Sequence, residues 1–404
     1  MQFFKDLLII LFVTLLLLVG LEIGARAFYV DLPNPPPRKV SHFAYAYHPV
    51  YGITMRPNTE KTFQRTQANG GQNITWRTNR FGHRGKSAPD SIGFKLMVFG
   101  DSNVQGRFSI EDSTYCKQVE KALDTAGIEN PFVINTGIVG LGPDQVLLKM
   151  REELPIHRPD FLIVHLFADN DFGDLIRNRL FELDENEKLV ATNFHINLDQ
   201  HIHPLPPEEK PASYLLFWLN NKRNEYFPAD PQLAPPKDEL QELQNLYMEW
   251  CKGEIAAYKA GLPRQYSHFG DHYDLDMAIA PESEVAQLKT KLMRAVLEGI
   301  QQTAKEHHLP LLMVILPSTM DMSTNFNLNH TIYAKHKAYR REYLSTTMEQ
   351  LCTELNIPAI NLWHPFLKNN PDSLYFVHPD NHWNDNGQRL AAQITAKRVV
   401  EMLR

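Results

Sequence analysis

Ser102, His382 and Asp380 are residue types that together can carry out nucleophilic acyl transfer. A serine hydroxyl is a weak nucleophile near neutral pH and needs a base to take its proton. A neutral imidazole takes that proton and returns it to the leaving group. A carboxylate beside the ring holds its orientation and stabilises the imidazolium. Ser102 stands in Leu96-Met97-Val98-Phe99-Gly100-Asp101-Ser102-Asn103, an apolar run followed by a glycine turn. The pattern predicts a buried strand, a tight turn, and a helix beginning at Asn103, Val104 and Gln105. At such a place first-turn N–H groups have no partner and the helix dipole favours negative charge. That suits a serine whose attack on an ester creates an oxyanion. The plainer role for Ser102 is that of an N-cap, a position serine favours.

The elements that must position these residues form an alternating series. Short strands are expected at Leu96–Phe99, Phe132–Asn135, Phe161–Leu166, Leu311–Leu316 and Ala359–Leu362. Val285, Leu288, Leu292, Val296 and Ile300 fall on one helical face before the fourth strand. Tyr343, Leu344, Met348, Leu351 and Leu355 do so before the fifth, and Leu390, Ile394, Val399 and Leu403 suggest a closing amphipathic helix. Strands separated by helices imply a parallel sheet covered on both faces. Ligand sites in such sheets lie beyond the carboxyl ends of the strands. Ser102, Gly140 and Asn170 each follow an expected strand, so one fold brings all three to the same edge. A glycine lets backbone approach a ligand closely, and an asparagine amide has two donors. Gly137, Gly140 and Gly142 also serve as ordinary turn residues, and Asn170 as a helix cap.

Near the end stands Phe376-Val377-His378-Pro379-Asp380-Asn381-His382-Trp383-Asn384. Gly100-Asp101-Ser102, the loop with Gly140, Asn170 and a late Asp-x-His occur in an order that resembles the GDSL/SGNH hydrolase superfamily. The resemblance covers roughly residues 95–403 apart from an insertion. It implies a flavodoxin-like three-layer α/β/α fold with a five-stranded parallel sheet. It implies catalysis by Ser102, His382 and Asp380, with an oxyanion hole from the N–H groups of Ser102 and Gly140 and the Asn170 side chain. Gly137 competes with Gly140 for that role. The Asp-x-His spacing is shorter than the usual Asp-x-x-His and is similar to the periplasmic polysaccharide O-acetylation branch. Asp372 and Asp385 are nearby substitutes for the orienting acid.

The remaining chain sets the compartment. At 404 residues with a net charge of −6, the protein carries no electrostatic case for nucleic-acid binding. Its 3 cysteines, Cys116, Cys251 and Cys352, are far apart and form neither a metal cluster nor a disulfide framework. No GxGxxG or GxxxxGK[ST] stands where a cofactor would need it. Leu7–Gly20 is almost wholly apolar after Lys5, and the expectation is an uncleaved signal anchor over residues 1–27, marginal against the about 20 residues a span needs. That places the bulk outside the cytoplasm, in a bacterial periplasm on the inner membrane, or exported free if the anchor is cleaved. A Pro-rich linker is expected over 28–41, a β-rich extension over 42–90, and the hydrolase-like domain over 91–404, interrupted by an insertion at about 175–283. Within the extension, Phe63–Thr66 and Ile74–Thr78 flank the turn signal Asn69-Gly70-Gly71. Arg77, Arg80 and Arg84 suit either an anionic substrate or structural pairing. The insertion carries aromatic residues and one expected helix from Lys237 to about Tyr258, as a lid or a packing elaboration.

The leading reading is a serine esterase that removes acyl groups, above all acetyl, from an extracytoplasmic carbohydrate, with no cofactor or metal. The same serine with a sugar hydroxyl as acceptor gives an O-acetyltransferase, served by a membrane partner that delivers acyl groups. His378, Asp380 and His382 alternate, so a metal-dependent hydrolase is a further reading, and a non-catalytic envelope binding protein another.

Overall fold

The computed structural model describes residues 2–31, 44–89, 92–192, 213, 215–216, 273–324, 339–377, 380 and 382–404. It divides into two compact units: Met1–His42 with Asp199–Leu233, and Phe43–Leu198 with Ala234–Arg404. The first unit contains the helix α1 (Gln2–Asp31). Ile9, Ile10, Phe12, Leu15, Leu16, Leu17 and Leu18 are exposed on it. Glu22 of this helix accepts hydrogen bonds from Ser213 Oγ at 2.8 Å and Leu215 N at 3.0 Å. Counting only described side chains, no helix is long and apolar enough to cross a membrane. The expected anchor therefore rests on the run Leu7–Gly20 in the sequence.

The second unit opens with two hairpins. β1 (Tyr45–His48) pairs antiparallel with β2 (Gly52–Met55), and β3 (Glu60–Gln64) with β4 (Asn73–Arg77). A 3-10 turn, Gln67–Asn69, joins β3 to β4. The strands stop short of the expected Thr66 because its carbonyl accepts the N–H groups of Asn69 and Gly71, both at 3.0 Å. The turn thereby withdraws that residue from the ladder.

The sheet follows: β5 (Phe94–Phe99), β6 (Pro131–Asn135), β7 (Phe161–Ala168), β10 (Leu311–Pro317) and β11 (Ala359–Asn361), in the order β11-β10-β7-β5-β6. Every pairing in it is parallel, as the alternating pattern predicts. β7 is buried at every position, as a central parallel strand must be when helices cover both faces. On one face, Leu96, Val98, Val133, Phe161 and Ile163 meet α3 (Tyr115–Thr125) and the closing helix Asp385–Leu403 in a single core. The alternate residues Met97, Leu162 and Val164 are equally buried and point to the opposite face. α4 (Pro143–His157) and the helix Glu284–Glu306 pack against one another, and the helix Tyr343–Glu354 packs on β10 and β11.

Of the expected insertion, α5 (Asp171–Asn178), the hairpin β8 (Phe181–Leu183) with β9 (Leu189–Ala191), and the helix Leu275–Ile279 are described. The helix expected from Lys237 to Tyr258, and Cys251, lie outside the described residues. Cys116 and Cys352 are buried free thiols.

Candidate active site

β5 ends in Gly100, and the helix α2 (Ser102–Gln105) follows at once. Its cap is Asp101, whose Oδ1 accepts the Asn103 N–H at 2.8 Å while Oδ2 accepts Asn103 Nδ2 at 3.0 Å. Ser102 is thus relieved of capping. It is 8% exposed, and its Oγ lies 2.8 Å from His382 Nε2. Burial, with the charge of Arg107 as a smaller cause, holds His382 well below the ordinary imidazole value. That shift favours the neutral ring, and in the tautomer with its lone pair on Nε2 the ring accepts the Ser102 O–H. That is the protonation state a general base requires.

Asp380, the expected third member, has a partner on the amino-terminal hairpin. Asp380 Oδ2 accepts a hydrogen bond from Asn69 Nδ2 at 2.8 Å, and among the described residues the buried Nδ1 of His382 has no partner. The substitutes are also engaged: Asp372 accepts from Ser323 Oγ at 2.9 Å and from Thr324 N, and Asp385 accepts from Arg65 and Ser109. The imidazole is held instead by the Phe108 ring, edge-on at 5.0 Å between centroids, and by its own backbone, whose carbonyl accepts the Phe376 N–H at 2.9 Å. Of the three expected catalytic residues, the described contacts join Ser102 and His382 as a pair.

The expected oxyanion donors follow neighbouring strands, Ser102 after β5, Gly140 after β6 and Asn170 after β7, at one carboxyl-terminal edge. Gly140 has a left-handed φ of +72° and open space where a side chain would lie. Gly137 is different: a Cβ there would meet the Gln105 backbone nitrogen at 2.3 Å. Gly137 is a packing glycine beneath the serine turn. Asn170 donates from Nδ2 to Asp174 Oδ2 at 3.0 Å. An amide has two such hydrogens, so one remains for a ligand.

Around these groups lies a support that sequence reading largely missed. Of the three arginines singled out above, Arg77 pairs with exposed Glu60, Arg80 lies over the Phe81 ring, and Arg84 is buried. Arg84 donates to the carbonyls of Gln105, Gly106 and Ser109, gripping the turn after α2. Asn135 Nδ2 donates to Val104 O at 2.9 Å, and Trp383 Nε1 to Asn103 O at 3.1 Å. Beneath Asn170, the Gly173 N–H donates to Asp274 Oδ2 at 2.9 Å, and the buried Lys289 ammonium bonds both Asp274 and Asp276. The signal for Arg84 was its place in the Arg-rich approach to β5; for Lys289 there was none beyond a lysine on an otherwise apolar helix face.

A cluster apart from this pair, His83, Glu153 and His157, brings ligand-type atoms within 4.8 Å of one another. Glu153 is already partnered on both oxygens, by His83 Nε2 at 3.0 Å and by the buried Lys149 ammonium. It reads as a buried ion pair. The alternating His378, Asp380 and His382 do not converge in the part described: Asp380 faces Asn69, His382 faces Ser102, and His378 lies outside the described residues.

No protein-family model and no curated protein matches the chain. Solved structures similar to it include the acetyl xylan esterase AlAXEase, at 15% identity and TM-score 0.36 over 76% of this chain and 100% of that one. A lipase/acylhydrolase from Enterococcus faecalis is similar at 11% identity and TM-score 0.37, over 76% and 95%. The psychrotrophic esterase EstA from Pseudoalteromonas sp. is similar at 10% identity and TM-score 0.36, over 76% and 98%. At such distances the chemistry of this chain rests on its own Ser102–His382 geometry.

Proposed function

We propose that the protein is a serine-dependent carboxylic ester hydrolase, and the observation that carries this reading is the 2.8 Å contact between Ser102 Oγ and His382 Nε2. Ser102 Oγ attacks the ester carbonyl carbon as its proton passes to His382 Nε2. The tetrahedral intermediate collapses by breaking the bond to the alcohol oxygen, which receives that proton. Water then attacks the acyl-Ser102 ester, gives a proton to Nε2, and releases the acid with Ser102 restored. The oxyanion is stabilised by the N–H groups of Ser102 and Gly140 and by the Asn170 amide, each preorganised donor contributing about 3–4 kcal/mol. Asp380 is an orienting acid in this reading only if it exchanges Asn69 for His382 Nδ1.

The substrate class belongs to the same proposal: an acyl, above all acetyl, ester of a carbohydrate outside the cytoplasm. Support comes from the amino-terminal run, which would hold the catalytic unit at the outer face of a bacterial inner membrane. That run, Leu7–Ile23, is about 26 Å long as a helix, close to the roughly 30 Å hydrocarbon core. The decisive experiment is reaction of the full chain with a fluorophosphonate, with the labelled peptide located by mass spectrometry. Ser102 is expected to be labelled in the parent protein, with labelling abolished by Ser102→Ala and reduced by orders of magnitude by His382→Ala. A folded parent protein that takes no label would overturn the serine mechanism.

A further inference from the structure

We propose that Asn69, on the amino-terminal hairpin, is a positioning residue of the active site, fixing the loop that carries His382 so that Nε2 meets Ser102 Oγ. This rests on the serine-hydrolase reading above. Asn69 closes the 3-10 turn between β3 and β4. Its Oδ1 accepts the Val377 N–H at 2.8 Å, and its Nδ2 donates to Val377 O at 3.0 Å. That pair imitates one rung of a β-ladder, with a side-chain amide in place of a peptide. The same Nδ2 reaches Asp380 Oδ2 at 2.8 Å and Thr66 Oγ1 at 3.0 Å, the latter tying the amide to its own turn. Nδ2 has two hydrogens, so one is shared between acceptors.

The described residues on either side of and before His382 are therefore held at separate points. Asn69 holds Val377 and Asp380, and the Phe376 N–H donates to the His382 C=O. Arg65, at the start of the same turn, secures the flanks. Its Nη2 lies 2.9 Å from each oxygen of Asp385, its Nε donates to Phe108 O, and its guanidinium lies 4.8 Å from the centre of the Phe376 ring. Among the described residues His382 Nδ1 has no partner, so no described carboxylate aims the ring. Its aim then depends on how Val377 and Asp380 are held, and Asn69 holds both. Asn is the residue suited to the task, because it offers a donor and an acceptor on one short rigid group. Asp keeps only the acceptors, and Ala keeps neither.

The test uses the full chain, with hydrolysis of p-nitrophenyl acetate and the rate of fluorophosphonate labelling as readouts. Asn69→Ala and Asn69→Asp are expected to lower kcat and the labelling rate by about 10- to 100-fold, with KM within about twofold, the scale of a misplaced catalytic group. Asn69→Asp sets a second carboxylate against Asp380, so its loss should lessen as pH falls into the carboxylate range. Arg77→Ala, on the same hairpin but exposed, should leave both rates unchanged. Asn69 variants that melt like the parent protein and are labelled at its rate would overturn the proposal. So would a loss confined to KM, or variants that fail to fold altogether, which would assign Asn69 to stability. If the parent protein itself takes no His382-dependent label, the serine reading fails; if it labels and the variants label equally, only the role of Asn69 fails.

Discussion

In the proposed mechanism His382 is the base, and among the described residues nothing partners its second nitrogen. Burial and the Arg107 charge both disfavour the imidazolium, and no described carboxylate offsets them at Nδ1. The base works unprotonated, so a depressed value keeps the enzyme active to lower pH. The acid limb of kcat/KM should therefore lie below the ordinary imidazole value of about 6.5, read from the labelling rate across pH. A limb at or above that value would show that a carboxylate reaches Nδ1 in the working enzyme, with Asp380 the first to test by Asp380→Asn. At this scale the sequence was informative where chemistry restricts residue type. A serine after a strand–glycine turn and a late histidine were identifiable, and they meet. The partner of Asp380 was not, because Asn69 stands 311 positions away and no local pattern records which side chain reaches first.

The elements hold these residues through buried polar contacts as much as through the sheet. Lys289 is 1% exposed on the helix Glu284–Glu306 and pairs with Asp274 and Asp276. Asp274 in turn holds the Gly173 N–H in α5, the helix that Asn170 begins. Lys289→Met should cost about 3–5 kcal/mol, since it strands buried carboxylates. Arg77→Ala should cost at most about 1 kcal/mol, since its pair with Glu60 is exposed. Chemical denaturation of both variants measures the difference. The strands were legible because runs such as Phe161–Ala168 are apolar at nearly every position, which only a doubly covered parallel strand sustains. The docking of the β3–β4 hairpin was not legible. Its strand pattern gives the hairpin, while its purpose lies in the turn residues Arg65 and Asn69, which read as ordinary turn polarity.

At the scale of the molecule, the compact unit holding Ser102 and His382 begins at Phe43. Deleting residues 1–42 should leave a folded protein that is still labelled at Ser102. Deleting through residue 90 removes Arg65, Asn69 and Arg84 and should abolish labelling, as mass spectrometry of the two truncated proteins would report. The span of the clamp has a further meaning for how the protein acquires its activity. Arg65 and Asp385 are 320 positions apart, so the hairpin is synthesised well before its partner. The entropy of closing such a loop grows only with the logarithm of its length, so the separation costs little stability. It costs time, because contacts between distant positions form late. Placing His382 through this clamp is therefore one of the slow steps, and catalytic competence waits on it.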